Sequence, residues 1–330
     1  MLLVSGDLAR RTGGNLYDRR MERACRRAGI PLRIIAVAST AQARSALARA
    51  KPRVVVVDSI AIPIAAPLVS WIHDDLGSRI VALMHMLSTA RGARGLLRAA
   101  DRVVAVSPDL GRTLAGAGVP RSRLTVIPPG SDGVPLVARG RRPQRDRGQL
   151  RVVAVANWSR GKGIATLVAA AALVPTVHVD LVGDTGTAAY RDTVLALIRS
   201  HGLGPRVAVH GSLGERALAR RYAHADAFAL PTEREGYGIV FAEALMRGLP
   251  IIAADIASVR AIIGDAGLFV PPRRVRPLAA ALRLMTDAWL RRRLAKAARA
   301  RARVLPRWTT SQAAFVNLVR NEVRTAVAGS

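Results

Sequence analysis

Short runs of aliphatic residues alternate with helix-type patterns from one end of the chain to the other. In the run Val54-Val55-Val56-Val57 every position is apolar, which is typical of a strand buried in a parallel sheet with helices on both faces. The repeated alternation of strand and helix predicts an α/β fold of doubly wound, Rossmann-like domains. The expected strands are Leu2–Val4, Leu32–Val37, Arg53–Asp58, Ile80–Met84, Arg102–Val106 and Leu124–Ile127, then Arg151–Ala156, Val177–Val182, Arg206–His210, Asp226–Leu230 and Pro250–Ala254. The helices expected between the first strands include Asn15–Ala28 and Ile62–Leu76.

A break in this periodicity divides the chain. Residues 130–149 are rich in Gly, Pro and Arg, which is typical of a linker. Two Rossmann-like domains on either side of it are expected to face a central cleft at the carboxyl ends of their sheets, where ligands of this architecture bind. The expected divisions are an N-terminal domain over 1–135, a linker over 136–150, a C-terminal domain over 151–307, and a helix over 308–330 that returns to the first domain.

Length and composition limit the class of protein. A chain of 330 residues, half of them hydrophobic, is long enough for two globular cores. No window is typical of a secretion signal or of a membrane-spanning helix. Cys25 is the only cysteine, so neither an internal disulfide nor a cysteine-based metal cluster is expected. These features predict a cytoplasmic protein.

The formal net charge of +29 predicts a surface that attracts phosphates, nucleic acid or acidic lipid headgroups. Aromatic residues are only 4% of the chain and no nucleic-acid-binding motif occurs, so no nucleic acid partner is expected. Two arginine stripes predict peripheral docking of the first domain on an anionic membrane, with a solvated arginine face as the alternative. The stripes are Arg91, Arg94 and Arg98 beside Leu96 and Leu97, and Arg19, Arg23 and Arg26.

The most specific pattern, Pro231-Thr-Glu-Arg-Glu-Gly-Tyr-Gly-Ile-Val-Phe-Ala-Glu243, follows the strand Asp226–Leu230. Glu235 and Glu243 are separated by seven residues, and the glycines after the first glutamate open a helix whose N–H groups suit phosphates or hydroxyls. The second glutamate is expected about two turns into that helix, near the face of the first. One carboxylate can then hold sugar hydroxyls and the other a ribose. The alternative is an acidic residue complementing the helix dipole plus a solvated glutamate.

Lys162 lies in Arg160-Gly161-Lys162-Gly163, where the helix after the strand Arg151–Ala156 begins. A lysine at a helix start is a point charge suited to a diphosphate, assisted by backbone N–H groups. The alternative is a solvated surface lysine, which is less favoured because the chain has only three lysines.

With these motifs the chain resembles the retaining glycosyltransferases of family 4, which have the GT-B fold and a Glu-x7-Glu motif. Thr12-Gly13-Gly14-Asn15 is similar to the family's glycine loop, and the segments 126–132 and 155–163 to the end of its first domain and its donor-phosphate loop. The resemblance implies that Glu235 contacts sugar hydroxyls and that Glu243 contacts the ribose. The predicted donor-binding residues are Gly14, Arg160, Lys162, Glu235, Gly236, Tyr237, Gly238 and Glu243.

The chain departs from the family pattern at one place. The family usually has an arginine five residues before the lysine, and this chain has Asn157 there. Arg160 is expected to supply the missing charge.

Two histidines of the first domain compete for a catalytic role. His85 follows the strand Ile80–Met84 at its carboxyl end, where the family's histidine also lies. His73 belongs to a helix pattern and is expected to be a polar group on a helix surface. We therefore predict His85, Glu235 and Lys162 as catalytic residues, with a structural role for His85 as the alternative.

Several common binding motifs are absent from the sequence. No Asp-x-Asp occurs, nor a zinc-type cluster, a Gly-x-Gly-x-x-Gly fingerprint or a Walker motif. We therefore expect no metal and no other cofactor, so that cationic side chains and helix N-termini neutralise the leaving diphosphate.

The sequence thus predicts a retaining, metal-independent glycosyltransferase. It would transfer a sugar from a UDP- or GDP-sugar to a hydroxyl of a glycan or lipid-linked acceptor in polysaccharide biosynthesis. Three alternatives stay open: a nucleotide-sugar epimerase on the same fold, a basic nucleic-acid-binding protein, and a degenerate transferase that serves as a partner subunit.

Overall fold

The computed structural model of the protein describes residues 1–132, 134 and 148–328. Its contacts divide the chain into two compact units, Met1–Gly130 with Pro306–Ser330, and Ser131–Leu305. Each unit contains a six-stranded sheet. Of the predicted linker over 136–150, residues 136–147 lie outside the described residues. The predicted central cleft stays a prediction.

The strands of the first unit are β1 (Leu2–Val4), β2 (Ile34–Ala36), β3 (Val54–Asp58), β4 (Arg79–Met84), β5 (Arg102–Ala105) and β6 (Leu124–Val126). They form a parallel sheet of order β2-β1-β3-β4-β5-β6. Strand β3 is buried at every position, as its apolar run predicts. The chain runs from β1 to β2 on one side of β1 and then returns to β3 on its other side. The topological switch point of this sheet therefore lies between β1 and β3.

The helices between these strands are α1 (Gly13–Arg27), α2 (Thr40–Ala50), α3 (Ile62–Ala65), α4 (Val69–Asp74), α5 (Ala93–Ala99) and α6 (Pro108–Gly116). The single helix predicted over 62–76 is wrong, since the 3-10 helix Ala66–Leu68 separates α3 from α4. Pro67 has no N–H to donate and its ring restricts the preceding residue, so a continuous α-helix is disfavoured there. Helix α1 begins two residues earlier than predicted because the Thr12 hydroxyl accepts a hydrogen bond from the Asn15 N–H at 3.0 Å.

The strands of the second unit are β7 (Leu150–Val155), β8 (Val177–Val182), β9 (Val207–Val209), β10 (Ala227–Leu230), β11 (Ile251–Ala254) and β12 (Gly267–Val270). Their order is β12-β11-β10-β7-β8-β9, and all pairs are parallel. The switch point of this sheet therefore lies between β7 and β10. Strand β12 was not among the predicted strands because it is a four-residue edge strand that begins with glycine and is mostly half-buried.

The helices of the second unit are α7 (Ile164–Ala172), α8 (Ala188–Ser200), α9 (Glu215–His224), α10 (Ile239–Met246), α11 (Ala257–Ile263), α12 (Val275–Leu284) and α13 (Ala288–Val304). Aromatic side chains join three of its elements in the core. The ring of Phe228 on β10 stacks on Tyr222 of α9 at 6.2 Å and meets Phe241 of α10 edge-on at 5.3 Å. This packing fixes α10, which carries the second glutamate of the motif.

The last helix, α14 (Trp308–Ala328), belongs to the first unit and packs against α1. Its Glu322 is 2% exposed and accepts hydrogen bonds from Arg79 Nε at 2.6 Å and Arg102 Nε at 2.8 Å. A buried carboxylate needs such cationic partners, because leaving it unpaired would cost several kcal/mol. Gly130 passes this helix so closely that a Cβ would lie 2.1 Å from the Trp308 nitrogen.

Candidate functional site

The predicted donor site lies at the carboxyl ends of β7 and β10, the two strands of the switch point. The chain continues from β7 to β8 and from β10 to β11, so the two loops leave in opposite directions. Ligands of open α/β sheets bind at this position. The loop after β7 contains the 3-10 helix Arg160–Lys162, and the loop after β10 contains residues 231–238.

The two loops are held together by backbone contacts. The Gly161 carbonyl accepts hydrogen bonds from the Glu233 N–H at 2.8 Å and from the Thr232 hydroxyl at 3.2 Å. Gly163 has a φ of +70°, and a Cβ there would lie 2.3 Å from the Pro231 carbonyl oxygen. Glycine is therefore required for the close approach of the loops.

This arrangement brings two of the predicted catalytic residues together. Lys162 Nζ donates to Glu235 Oε1 in an ion pair between the two loops. The pair is partly open to solvent, with 28% of the Lys162 side chain and 12% of the Glu235 side chain exposed. Arg160 lies on the same 3-10 helix with an exposed side chain.

The residues between the two glutamates form the entry to α10. Gly238 has a φ of +90° and precedes the helix, and a Cβ there would lie 2.8 Å from the Phe241 ring. Tyr237 packs against the core, and its hydroxyl is buried without a hydrogen-bond partner in the described part of the chain. Burial raises the pKa of Tyr237 to about 12, so the hydroxyl stays protonated. Gly236 is half-buried beside it.

Glu243 lies closer to the start of its helix than predicted. Since α10 begins at Ile239, Glu243 is about one turn into the helix, and the expected two turns are wrong. Its side chain is buried, and Oε2 accepts a hydrogen bond from the Tyr222 hydroxyl at 2.9 Å. The structure thus pairs Glu235 with Lys162 and Glu243 with Tyr222.

A second cluster of charged side chains lies at the carboxyl edge of the first sheet. His85 follows β4, Asp58 ends β3, and Asp18 lies on α1. The Nε2 atom of His85 is 3.0 Å from Asp18 Oδ1 and 3.2 Å from Asp58 Oδ2. Both carboxylates are buried, so one imidazole ring serves two acidic partners.

Hydrogen bonding determines the charge of this histidine. Burial alone would lower the pKa of His85, but its hydrogen bonds to Asp18 and Asp58 outweigh burial and raise the pKa to about 10. The same bonds, with the Ile60 N–H, outweigh burial at Asp58 and lower its pKa. At Asp18 burial dominates and raises the pKa to about 6. His85 is therefore an imidazolium at neutral pH and has no lone pair to act as a general base there.

Neighbouring residues fix the ring of His85 from the side. Tyr17 meets it edge-on with ring centroids 5.3 Å apart. A Cβ on Gly14 would lie 3.3 Å from His85 Cδ2. Gly14 belongs to the first turn of α1, so the pair Gly13-Gly14 opens the helix that follows the loop after β1.

Asp18, Asp58 and Tyr222 contact the predicted site residues His85 and Glu243, and they were not identified from the sequence. Asp58 is the one charged residue of the strand Val54–Asp58, at the end where ligands bind, and this position was a usable signal. Asp18 is four residues after Gly14, on the buried stripe of α1. Tyr222 offered no signal, because its partner Glu243 lies on another helix.

The His85 cluster is also where the described residues could hold a metal ion, since Asp18, Asp58 and His85 each offer one ligand atom within 4.8 Å of the others. Binding an ion would displace the proton that Nε2 shares with the two carboxylates. The predicted independence of metals stays a prediction.

Sequence comparisons match a glycosyltransferase family model to each half of the chain. The family described as Glycosyltransferase Family 4 matches residues 7–132, and the one described as Glycosyl transferases group 1 matches residues 141–301. The chain belongs to glycosyltransferase family 4. The predicted family is confirmed.

Curated relatives of this family 4 chain include a D-inositol 3-phosphate glycosyltransferase of Xylanimonas cellulosilytica, 32% identical over 246 residues, which are 69% of this chain and 58% of that protein. A glycogen synthase of Mycobacterium tuberculosis is 29% identical over 214 residues, 62% of this chain and 50% of that protein. The chain spans about half to three fifths of the length of the curated relatives that it matches.

Solved structures confirm the predicted GT-B fold. A sucrose-phosphate synthase from Thermosynechococcus elongatus superposes with a TM-score of 0.80 at 21% identity, over 100% of this chain and 99% of that one. Anabaena HepE in complex with UDP-glucose superposes with a TM-score of 0.75 at 18% identity, over 97% of this chain and 99% of that one.

Asn157, where the resemblance implies an arginine, makes a hydrogen bond within the second unit. Its Oδ1 accepts a hydrogen bond from the Asp184 N–H at 3.2 Å, and the Trp158 N–H donates to the Asp184 carbonyl at 2.7 Å. Asn157 therefore connects the loop after β7 to the loop after β8.

The arginine stripes predicted to face a membrane are partly wrong. Leu96 and Leu97 are buried in the core, and Arg91 precedes α5. In the other stripe Arg26 is paired with Glu22. Among the described helices none is both long and apolar enough to cross a bilayer. Peripheral docking of this family 4 chain on a membrane stays a prediction.

Proposed function

We propose that this chain is a retaining, metal-independent glycosyltransferase that transfers a sugar from a nucleoside diphosphate sugar to an acceptor hydroxyl. The observation that carries the proposal is the ion pair between Lys162 and Glu235 at the switch point of the second sheet. A cation and a carboxylate there suit the two parts of the donor, its diphosphate and its sugar hydroxyls. The complex of Anabaena HepE with UDP-glucose supports a UDP-sugar as the donor.

Lys162 carries the electrostatic part of the proposed reaction. When the bond between the sugar C1 and the diphosphate oxygen breaks, negative charge develops on the diphosphate, and a preorganised cation stabilises it. The acceptor oxygen bonds to C1 on the same face, and its proton passes to the released diphosphate. Lys162 must exchange Glu235 for the diphosphate, which its partial exposure allows.

His85 contributes a fixed positive charge in this proposal. Its Nε2 is engaged with Asp18 and Asp58, so its other ring N–H is the donor available to a sugar oxygen. Because His85 is already protonated at neutral pH, we assign it an orienting role rather than proton abstraction.

Thermal shift with UDP, GDP, TDP and ADP tests donor binding. A nucleotide at a hundred times its dissociation constant should stabilise the protein by about 2.7 kcal/mol. Failure of all four nucleotides would remove the proposal. Incubation of UDP-sugars with glycan, lipid-linked and phosphorylated cyclitol acceptors then tests transfer, and NMR of the product shows whether the anomeric configuration is retained.

The same incubations separate the alternatives. Conversion of the donor sugar without an acceptor would indicate an epimerase. Transfer that EDTA abolishes and magnesium or manganese restores would contradict metal independence and the role given to Lys162.

A further inference from the structure

The carboxylate of Glu243 is buried in the protein, where a charged group is unfavourable. Its side chain is 5% exposed, and its neighbours Ala242 and Ala244 on α10 are fully buried. A buried carboxylate is stable only when hydrogen-bond donors meet it. The Tyr222 hydroxyl meets Oε2 of Glu243 from the adjacent helix α9 at 2.9 Å.

The direction of this hydrogen bond follows from the protonation state of the Tyr222 phenol. Burial, and then the charge of Glu243, raise the pKa of Tyr222 well above its usual value, so the phenol keeps its proton. The Val240 carbonyl lies 3.4 Å from the same hydroxyl, which is 0.5 Å farther than the carboxylate oxygen. The Glu243 carboxylate is charged and nearer than the Val240 carbonyl, so it is the preferred acceptor and Tyr222 donates to it.

The Tyr222 ring is itself held on two sides. It stacks on Phe228 of β10, with an angle of 24° between the ring planes. The Arg247 guanidinium lies 4.7 Å from the ring centroid, and its Nη1 donates to the Glu243 main-chain carbonyl at 2.7 Å. Strand β10, helix α9 and helix α10 thus fix the phenol relative to the carboxylate.

We propose that Tyr222 is a positioning residue for nucleotide binding, whose hydroxyl holds the Glu243 carboxylate in the orientation that accepts hydrogen bonds from the ribose diol. The inference rests on the proposed function. A carboxylate has about four lone-pair sites, so it can accept from Tyr222 and from the ribose together. Tyr222 acts through Glu243 and makes no contact with the ligand itself.

Tyr222→Phe tests this role, because it removes the hydroxyl and keeps the ring. Calorimetry with UDP should show a dissociation constant about tenfold higher, the typical effect of losing a hydrogen bond to a charged group. The affinity for 2′,3′-dideoxy-UDP should stay within about twofold of wild type, since this ligand has no ribose hydroxyls for Glu243 to hold. In a Glu243→Gln background, Tyr222→Phe should cause no further loss of UDP affinity.

Tyr190→Phe is the matched control. Tyr190 is a buried tyrosine of α8 in the same unit, and its hydroxyl accepts a hydrogen bond from the Ala165 N–H. This variant should bind UDP as wild type does.

Three outcomes are distinct. If wild type binds none of UDP, GDP, TDP and ADP, the proposed function fails. If it binds UDP, or another of the four tested with its own dideoxy analogue, and Tyr222→Phe leaves the affinities for both ligands unchanged, only the role of Tyr222 is overturned. Equal weakening of both ligands with a lowered Tm would indicate a merely structural hydroxyl and would also overturn it.

Discussion

The two charged clusters of this chain differ in how they hold their charge. In the first unit one imidazolium lies between Asp18 and Asp58, whose side chains are 1% and 2% exposed. In the second unit Lys162 and Glu235 form a single pair that is partly open to solvent. A buried cluster with two anions for one cation fixes its members, because separating them would leave a buried charge unpaired. An open pair costs little to separate, so its members can exchange partners for a ligand.

This difference assigns distinct tasks to the two clusters in the proposed reaction. Lys162 can exchange the Glu235 carboxylate for a diphosphate. His85 can offer a ligand only its ring face and its Nδ1–H, because Asp18 and Asp58 engage its Nε2. Variants should therefore affect ligand binding most in the second unit, and orientation and pH dependence most in the first.

The largest effect is expected from Lys162→Ala. Its charge meets the diphosphate before and during the reaction, so UDP affinity and kcat should both fall by about ten- to a hundredfold. Calorimetry and initial rates measure the two losses. Lys296→Ala removes an exposed lysine of α13 and should change neither. A Lys162 variant within twofold of wild type in both measurements would contradict the exchange of partners.

Glu235→Ala should separate binding from chemistry. Its proposed partner is the sugar, so kcat with the sugar donor should fall by about ten- to a hundredfold. The affinity for UDP alone should stay the same or increase slightly, because Lys162 loses the anion that competes with the diphosphate. Glu243→Ala should instead weaken UDP binding.

Glu233→Ala provides a control in the same loop, since Glu233 is paired with Arg273 and not with Lys162. If Glu235→Ala loses UDP affinity as strongly as Glu243→Ala, the assignment of the two carboxylates is wrong.

The contrast between the two clusters also explains which of their residues could be predicted from the sequence. Glu235 and Glu243 are close along the chain, so their spacing was visible as a motif and Lys162 was visible at a helix start. Asp18 and His85 are 67 positions apart and meet only because the fold places α1 beside the residue that follows β4. Periodicity predicted eleven of the strands because they contain short aliphatic runs, such as Val54-Val55-Val56-Val57, and it failed for the edge strand Gly267–Val270. The break at Pro67 required turn chemistry that apolar periodicity does not contain.

Asp58→Asn should change the pH dependence of the enzyme. It removes one of the two carboxylates that raise the pKa of His85, and the loss of a charged hydrogen bond should lower that pKa by about one to two units. In wild type, His85 stays charged from pH 6 to 9. In the variant, kcat/KM should fall about two- to tenfold between pH 7 and pH 9, as measured by a pH–rate profile.

The pH dependence of stability tests the charge of His85 without an activity assay. The raised pKa of His85 stabilises the folded state below the unfolded value of 6.5, and this stabilisation is lost as pH rises toward 10. The free energy of unfolding should therefore fall from pH 7 to pH 10, and less steeply in Asp58→Asn. Asp74→Asn, at an exposed position of α4, should keep the wild-type slope. Identical slopes in all three proteins would contradict the charged state of His85.

The smallest effect is expected from Gly14→Ala, which probes how firmly the first cluster is fixed. The new methyl carbon would lie 3.3 Å from His85 Cδ2, a few tenths of an ångström too close, and the ring cannot retreat without lengthening its bonds to Asp18 and Asp58. Alanine favours a helix over glycine by about 1 kcal/mol, so the Tm should stay near wild type while kcat/KM falls about two- to fivefold. Gly95→Ala in α5, whose Cβ would meet nothing within 4 Å, should leave kcat/KM unchanged. A Gly14→Ala enzyme as active as Gly95→Ala would show that His85 moves freely, and the contrast between a fixed and an exchangeable cluster would then be lost.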